Sequence, residues 1–266
     1  IELASKNVGY TYPNPLVGSV IVHDNKIIGE GSHAKYGESH AEVNAINSVK
    51  DRRLLKNSTL YVNLEPCNHH GKTPPCTEAI INNNIKKVVI GSQDPNKLVN
   101  GSGIEKLRSS GCDVSVGILE KECDELNKRF FTYHKLKRPF IILKWAESKD
   151  GFISPIKSFN TLKKVNWISG EDAKKLSHKW RSEEHSILVG VQTIIDDDPV
   201  LTTRFVKGRS PIRFVLDPNS RIPLDSRILS DTVKTIILSK RENRLIPNYT
   251  KAIEFDNINL ILESLY

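Results

Sequence analysis

Methionine is absent from all 266 residues, which a strong compositional bias or a missing segment would each produce. Long apolar runs are absent too. Nothing approaches the roughly 18 consecutive apolar residues of a membrane-crossing helix. The opening Ile1-Glu2-Leu3-Ala4-Ser5-Lys6 lacks the pattern of a secretory signal. A cytoplasmic protein with no membrane partner is expected. Cysteine is scarce, with four in the chain. Two of them belong to a metal-ligand pattern, so Cys112 and Cys123 read as reduced, structural thiols rather than a disulfide framework. Acidic excess is lacking, and the formal charge is +8. The basic residues are dispersed along the chain rather than gathered in a stripe, so no nucleic-acid groove is expected. A positive field also suits a phosphorylated small molecule. Internal repeats and low-complexity tracts are missing.

What is present is concentrated in His40-Ala41-Glu42, Pro66-Cys67 and Cys76. One neutral imidazole and two thiolates suit Zn²⁺, and three protein ligands leave the fourth tetrahedral position for a water. A His-x-Glu followed by a Pro-Cys and a later Cys is the pattern of zinc deaminases. Glu42 is then the general acid and base. A closed structural zinc is the alternative, with His69 or His70 as fourth ligand, and it would make the protein a non-catalytic interaction module.

The chain reads as α/β throughout. Strands are expected at 16–22 and 26–29 around an Asp24-Asn25 turn, then at 59–63, 87–91 and 114–117. Helices are expected from near His40, at 77–83, at 103–110 and at 120–131. The helix periodicity after His40 turns Glu42 inward, where a carboxylate is costly unless it has a task. Cys76 precedes its helix, where the dipole favours a thiolate. The pattern breaks into a short basic segment near Tyr133–Pro139, so two domains are expected, 1–137 and 138–266. In the second, strands are expected at 140–145, 186–190, 213–216 and 235–238. Ser169 and Asp172 read as a capping box for a helix carrying Ala173, Leu176 and Trp180 on one face.

The nine-residue step from Cys67 to Cys76 carries a resemblance. Leu64-Glu65-Pro66-Cys67-Asn68-His69-His70-Gly71-Lys72-Thr73-Pro74-Pro75-Cys76 closely resembles the deaminase half of the bifunctional riboflavin-biosynthesis deaminase/reductases. Pro13-Asn14-Pro15-Leu16-Val17-Gly18, Gly29-Glu30-Gly31-Ser32-His33 and Gln93-Asp94-Pro95-Asn96 are similar to that family's blocks, in its order. The resemblance implies a cytidine-deaminase-like three-layer α/β/α domain. Its implied substrate is 2,5-diamino-6-ribosylamino-4(3H)-pyrimidinone 5′-phosphate, with a pocket formed by Asn14, His33, His69, Lys72, Asp94 and Asn96. A deaminase acting on tRNA or DNA is the competing reading, which the long cysteine step and the appended second domain oppose.

The second half carries weaker blocks, namely Lys144–Gly151, Ser182–Gly190 and a segment around Asp196-Asp197-Asp198-Pro199. They resemble the reductase half of the same enzymes, which implies a dihydrofolate-reductase-like domain using NADPH. On that resemblance Arg181, Leu201 and Arg204 contact substrate, and Ala146, Trp167, Ser169, Thr193 and Asp197 contact the dinucleotide. A homo-oligomer is expected. The family's late glycine-rich segment has no counterpart before Tyr266, so the reductase domain reads as incomplete.

Overall fold

The computed structural model describes residues 1–71, 73–154, 167–240 and 250–254. The chain divides into two compact units, Ile1–Phe140 and Ile141–Tyr266.

The first unit runs α1 (Glu2–Ser5), β1 (Gly18–His23), β2 (Lys26–Ser32), α2 (Ala41–Ser48), β3 (Thr59–Leu64), α3 (Cys76–Asn82), β4 (Lys87–Ser92), α4 (Ser102–Ser109), β5 (Asp113–Val116), α5 (Glu120–Leu126) and α6 (Lys128–Leu136). Asp24 and Asn25 both take positive φ, 45° and 58°, the left-handed pair that a two-residue hairpin needs. The resulting β1–β2 hairpin pairs Val20 with Glu30 and Ile21 with Gly29. Strand order is β2-β1-β3-β4-β5, antiparallel as far as β3 and parallel from β3 to β5.

Side chains alternate across this sheet. Leu60, Val62, Val88 and Ile90 face a core with Ala45 and Ile46 of α2, Ile80 of α3 and Leu107 of α4. Gly91 points the other way, against Cys123 of α5. Helices therefore cover both faces, giving three α/β/α layers. At Gly31 a Cβ would strike the backbone of Ala41 and Ala45. That close approach seats α2 on β2 and fixes where its first residues lie.

One expected helix is two. The 120–131 stretch breaks at Asn127, which ends α5 and caps α6. The Asn127 side chain accepts from the Leu16 N–H at 2.7 Å and donates to the Leu16 carbonyl at 2.9 Å, a tertiary use that local periodicity does not register. α6 continues through the expected break and closes at Lys137, whose φ is 54°.

The second unit contains α7 (Glu171–Glu183), β6 (Ser186–Gly190), α8 (Val191–Asp197), β7 (Ile212–Leu216), β8 (Thr235–Ser239) and β9 (Thr250–Glu254). Its strands are all parallel, in the order β6-β7-β8-β9. Val215 and Ile237 face a core with Val191 and Ile194 of α8, while Phe214, Ile236 and Leu238 are buried on the reverse face. Arg213 is fully buried in β7. Its guanidinium bonds both oxygens of Asp231, the carbonyls of Val200, Ile228 and Val233, and the Thr235 hydroxyl, so every donor has a partner.

Two expectations fail here. Residues 140–145 form no strand, and Ile141, Ile142, Leu143 and Trp145 are exposed. β-propensity makes a strand only where an edge is available to pair with it, and no described strand does so. The Ser169–Asp172 capping box is also absent. α7 begins at Glu171 with Gly170 as N-cap and no side-chain cap bond. Ser169 lies outside the cap, and Glu171 with Asp172 supply first-turn negative charge instead.

Candidate active site

His40 is the N-cap of α2, Cys67 lies three residues beyond β3, and Cys76 opens α3. The sheet thus brings a helix start, a loop and a second helix start to one end. His40 Nδ1 lies 3.2 Å from Cys76 Sγ and 3.5 Å from Cys67 Sγ, and the Cys76 backbone N–H donates to Cys67 Sγ at 3.4 Å. A tetrahedron with metal–N near 2.0 Å and metal–S near 2.3 Å has edges of roughly 3.5–3.8 Å. The donor set therefore fits Zn²⁺ in both chemistry and span. Among the described residues these three form the metal-capable cluster, and neither His69 nor His70 joins it. His70 lies instead 3.6 Å from the Glu78 carboxylate. A hydrogen bond from Cys76, together with the nearby His40, holds the Cys67 thiol down to about 4, and giving that bond pushes Cys76 up.

Glu42, in the first turn of α2, is 2% exposed, and its Oε2 has no partner. Burial first, then the charge of Cys67, raise its carboxyl to about 7. An orphaned carboxylate oxygen beside three convergent ligands is what a proton-handling group for a metal-activated water requires. Glu42, His40 and Cys67 border a cavity of about 370 Å³, which Asn14, His33, His69, Asp94 and Asn96 also line. Lys72 lies outside the described residues.

His33 stands against the Ser39 carbonyl through Nδ1, at 3.2 Å, and against Asn14 Nδ2 through Nε2, at 3.0 Å. A carbonyl can only accept, so Nδ1 carries the ring proton and Nε2 accepts from Asn14. The Asn14 amide is thereby oriented with its NH₂ spent on His33 and its oxygen left for a ligand. Burial lowers the pKa of His33, in keeping with a neutral ring. Asp94 is likewise buried. That burial raises its carboxyl to about 7, while its Oδ1 accepts from the Asn96 N–H at 2.7 Å.

Several residues that build this site are given no role by the motifs. Glu65, 4% exposed, accepts four backbone N–H groups: Asp94 at 3.2 Å, Gly101 at 2.9 Å, Gly103 at 2.9 Å and Ile104 at 3.2 Å. It caps the start of α4 from outside that helix and ties the Asp94–Asn96 wall to the strand that leads to Cys67. Gly103 is forced by the same junction, since a Cβ there would strike the Pro66 carbonyl. Asn63 joins Asn127 on the Leu16 backbone and holds the segment carrying Asn14. Tyr36, Glu38 and Phe130 also line the cavity. A glutamate closing a buried strand directly before Pro-Cys was the available hint for Glu65. The others depend on distant partners.

Residues 1–92 match the family model of the cytidine and deoxycytidylate deaminase zinc-binding region, and residues 139–265 match the RibD C-terminal domain. The riboflavin biosynthesis protein RibD of Aquifex aeolicus is 46% identical over 245 residues, covering 91% of this chain and 67% of that protein. The RibD protein of Synechocystis is 40% identical over 267 residues, covering 100% of this chain and 70% of that one. A crystal structure from Thermotoga maritima superposes with a TM-score of 0.91 at 40% identity, covering 100% of this chain and 75% of that chain. It is of a diaminohydroxyphosphoribosylaminopyrimidine deaminase/5-amino-6-(5-phosphoribosylamino)uracil reductase. The chain belongs to the RibD family. It spans 67 to 75% of the length of these three RibD relatives. A zinc-binding deaminase region and an NADPH-dependent RibD reductase region are both present.

In the RibD C-terminal region the expected residues gather less tightly. Arg181, in the last turn of α7, donates to the Thr202 carbonyl at 2.9 Å. Leu201 is buried with φ of 58°, and the Arg204 guanidinium reaches the Thr202 hydroxyl at 3.4 Å. The short segment carrying Leu201 and Arg204 is therefore tied to the last turn of α7, which carries Arg181. The expected dinucleotide residues are spread over three places. Ala146 lies in the stretch after Phe140, and Trp167 and Ser169 precede α7. Thr193 and Asp197 sit four apart on α8 and so share a face. Trp167 is exposed, with the Lys174 ammonium 4.1 Å from its ring centroid.

Proposed function

We propose that the first unit deaminates 2,5-diamino-6-ribosylamino-4(3H)-pyrimidinone 5′-phosphate hydrolytically, and that the second reduces the ribose of the product to ribityl with NADPH. The observation that supports this most directly is Glu42, buried and unpartnered at Oε2, beside the convergent His40, Cys67 and Cys76, with Glu42, His40 and Cys67 lining one cavity. His40, Cys67 and Cys76 would hold Zn²⁺, which when bound lowers the pKa of water from about 16 toward about 7. Glu42 takes the proton of the attacking water and delivers it to a ring nitrogen of the pyrimidine, then takes the second proton from the new hydroxyl as that oxygen becomes the carbonyl and passes it to the amino group, which leaves as ammonia. Its raised carboxyl pKa suits both directions of transfer. The Asn14 oxygen accepts from an amino edge of the base, and Asp94 with Asn96 close the opposite wall. In the second unit Arg181 and Arg204 face the phosphate, Leu201 packs beside them, and Ala146, Trp167, Ser169, Thr193 and Asp197 contact the dinucleotide. The hydride chemistry belongs to the cofactor, and the protein supplies positioning and charge. A cytoplasmic setting accords with four unpaired cysteines.

The deciding assay incubates the chain with the free phosphorylated pyrimidine and, separately, with RNA and single-stranded DNA. Release of ammonia from the pyrimidine alone is expected. Deamination of nucleic acid with none of the small molecule overturns the substrate assignment.

A further inference from the structure

Away from the deaminase cavity, α7 presents a cluster that the reaction as described leaves unexplained. His178 lies one turn before Arg181 on this helix and is 5% exposed. The Arg204 backbone N–H donates to His178 Nδ1 at 3.0 Å. A peptide N–H can only donate, so Nδ1 accepts and the proton of the neutral ring sits on Nε2. Nε2 lies 3.5 Å from Arg181 Nη1. Both atoms then bear hydrogens, so their approach is two donors side by side and not a hydrogen bond.

The rest of the cluster is equally rich in donors. Arg181 Nε is buried without a partner, and among the described residues no ion pair links Arg181 or Arg204 to a carboxylate. The Phe205 ring packs edge-on against the imidazole, with centroids 4.6 Å apart, and limits its rotation. Burial, with the two arginines adding to it, lowers the His178 pKa to about 4, so the ring contributes a donor without a third positive charge. The His178 Nε2–H and the Arg181 Nε are left without an acceptor, which is costly for buried donors, while the Arg204 guanidinium is exposed beside them. A tetrahedral oxyanion relieves all of them together, which an isolated neutral acceptor cannot do.

We infer that His178, Arg181 and Arg204 form one seat for a phosphate monoester, in which the imidazole Nε2–H bonds a phosphate oxygen beside Arg181 while Nδ1 places Arg204 through its backbone. The inference rests on the reading of the two arginines as phosphate-facing and adds the histidine that organises them.

The test uses the whole chain labelled with ¹⁵N-histidine, with inorganic phosphate, ribose 5-phosphate and ribose as probes. The His178 signals should show the Nε2–H tautomer at pH 7. They should shift on addition of phosphate or ribose 5-phosphate and stay still with ribose. His178→Asn keeps an acceptor near the Nδ1 position and removes the far donor. It should weaken phosphate binding by about tenfold, the loss of one hydrogen bond. His178→Gln, which carries an amide N–H near the Nε2 position, should recover part of that loss. An Nδ1–H tautomer, signals indifferent to phosphate, or unchanged affinity in His178→Asn would each overturn the seat. The tautomer is read on the unmodified chain, so a variant that fails to fold does not shield the inference. Phosphate binding as described without NADPH-dependent reduction overturns the reductase reading and leaves the seat standing. Reduction with an unchanged KM in His178→Asn does the reverse.

Discussion

The two units differ in how they assemble a site. In the first, side chains separated by more than eighty residues, from Asn14 to Asn96, line one cavity, because the start of β1 and the ends of β3 and β4 lie at the same end of one sheet. In the second, Arg181, Leu201 and Arg204 gather beside α7 while the expected dinucleotide residues stay distributed over three segments. Metal ligation is the difference. It demands three atoms within a few ångströms, and a chain that meets that demand has already fixed the walls around them. Dinucleotide binding tolerates an extended set of contacts and imposes no comparable convergence.

The largest effect should come from the ligands. Cys67→Ser or Cys76→Ser should reduce zinc from about one per chain to near zero and abolish deamination, with NADPH binding unchanged. Metal analysis and cofactor titration on the same sample check both halves. Full zinc in either variant would remove that cysteine from the ligand set.

Glu42→Gln should retain zinc while slowing deamination by ~10²–10⁴, the range for general acid and base groups. Turnover within a few-fold of the parent would mean the buried carboxylate handles no proton. Glu65→Gln comes next, because an amide NH₂ would confront N–H donors that now share a carboxylate. The first unit should lose about 2 kcal/mol, and the KM for the pyrimidine should rise more than kcat falls. Denaturant titration with thiol labelling reads this, since all four cysteines lie in the first unit.

The smallest effect concerns pH, where the units should respond with opposite sign. Asp94 is raised to about 7 when folded, so its contribution to stability is full below about pH 4 and is lost as pH rises through 7. His178 is lowered to about 4, so its contribution is full above about pH 6.5 and is lost as pH falls toward 4. Asp94→Asn should flatten the first slope and His178→Asn the second, with amide exchange reporting each unit separately. Parallel slopes in both units, unchanged by these variants, would remove the contrast.

The ligand triad and the Asp24-Asn25 turn were legible because few alternatives suit those residues. His, Cys and Cys beside a glutamate have little reason to coexist without a metal, and two adjacent positive φ values suit a tight hairpin. Asn63 and Asn127 were not legible, and Glu65 only through its place before Pro-Cys, since their work is done on backbone 29 to 111 residues away. The residue type says only that a polar group is present. Residues 140–145 show the opposite failure, a strand-like composition without a paired edge. His178 fell between the two. Its spacing from Arg181 is visible in the sequence, but the proton on Nε2 follows only from the direction of the Arg204 N–H.

The four amides held by Glu65 span a connection between strand and helix and the first turn of that helix, where backbone normally opens by itself on short timescales. Here no one of them can open far without disturbing a carboxylate shared with the other three. Asp94, Gly101, Gly103 and Ile104 should therefore exchange their hydrogens at one common slow rate, so that this wall of the cavity behaves as a single mechanical part fastened to the end of β3.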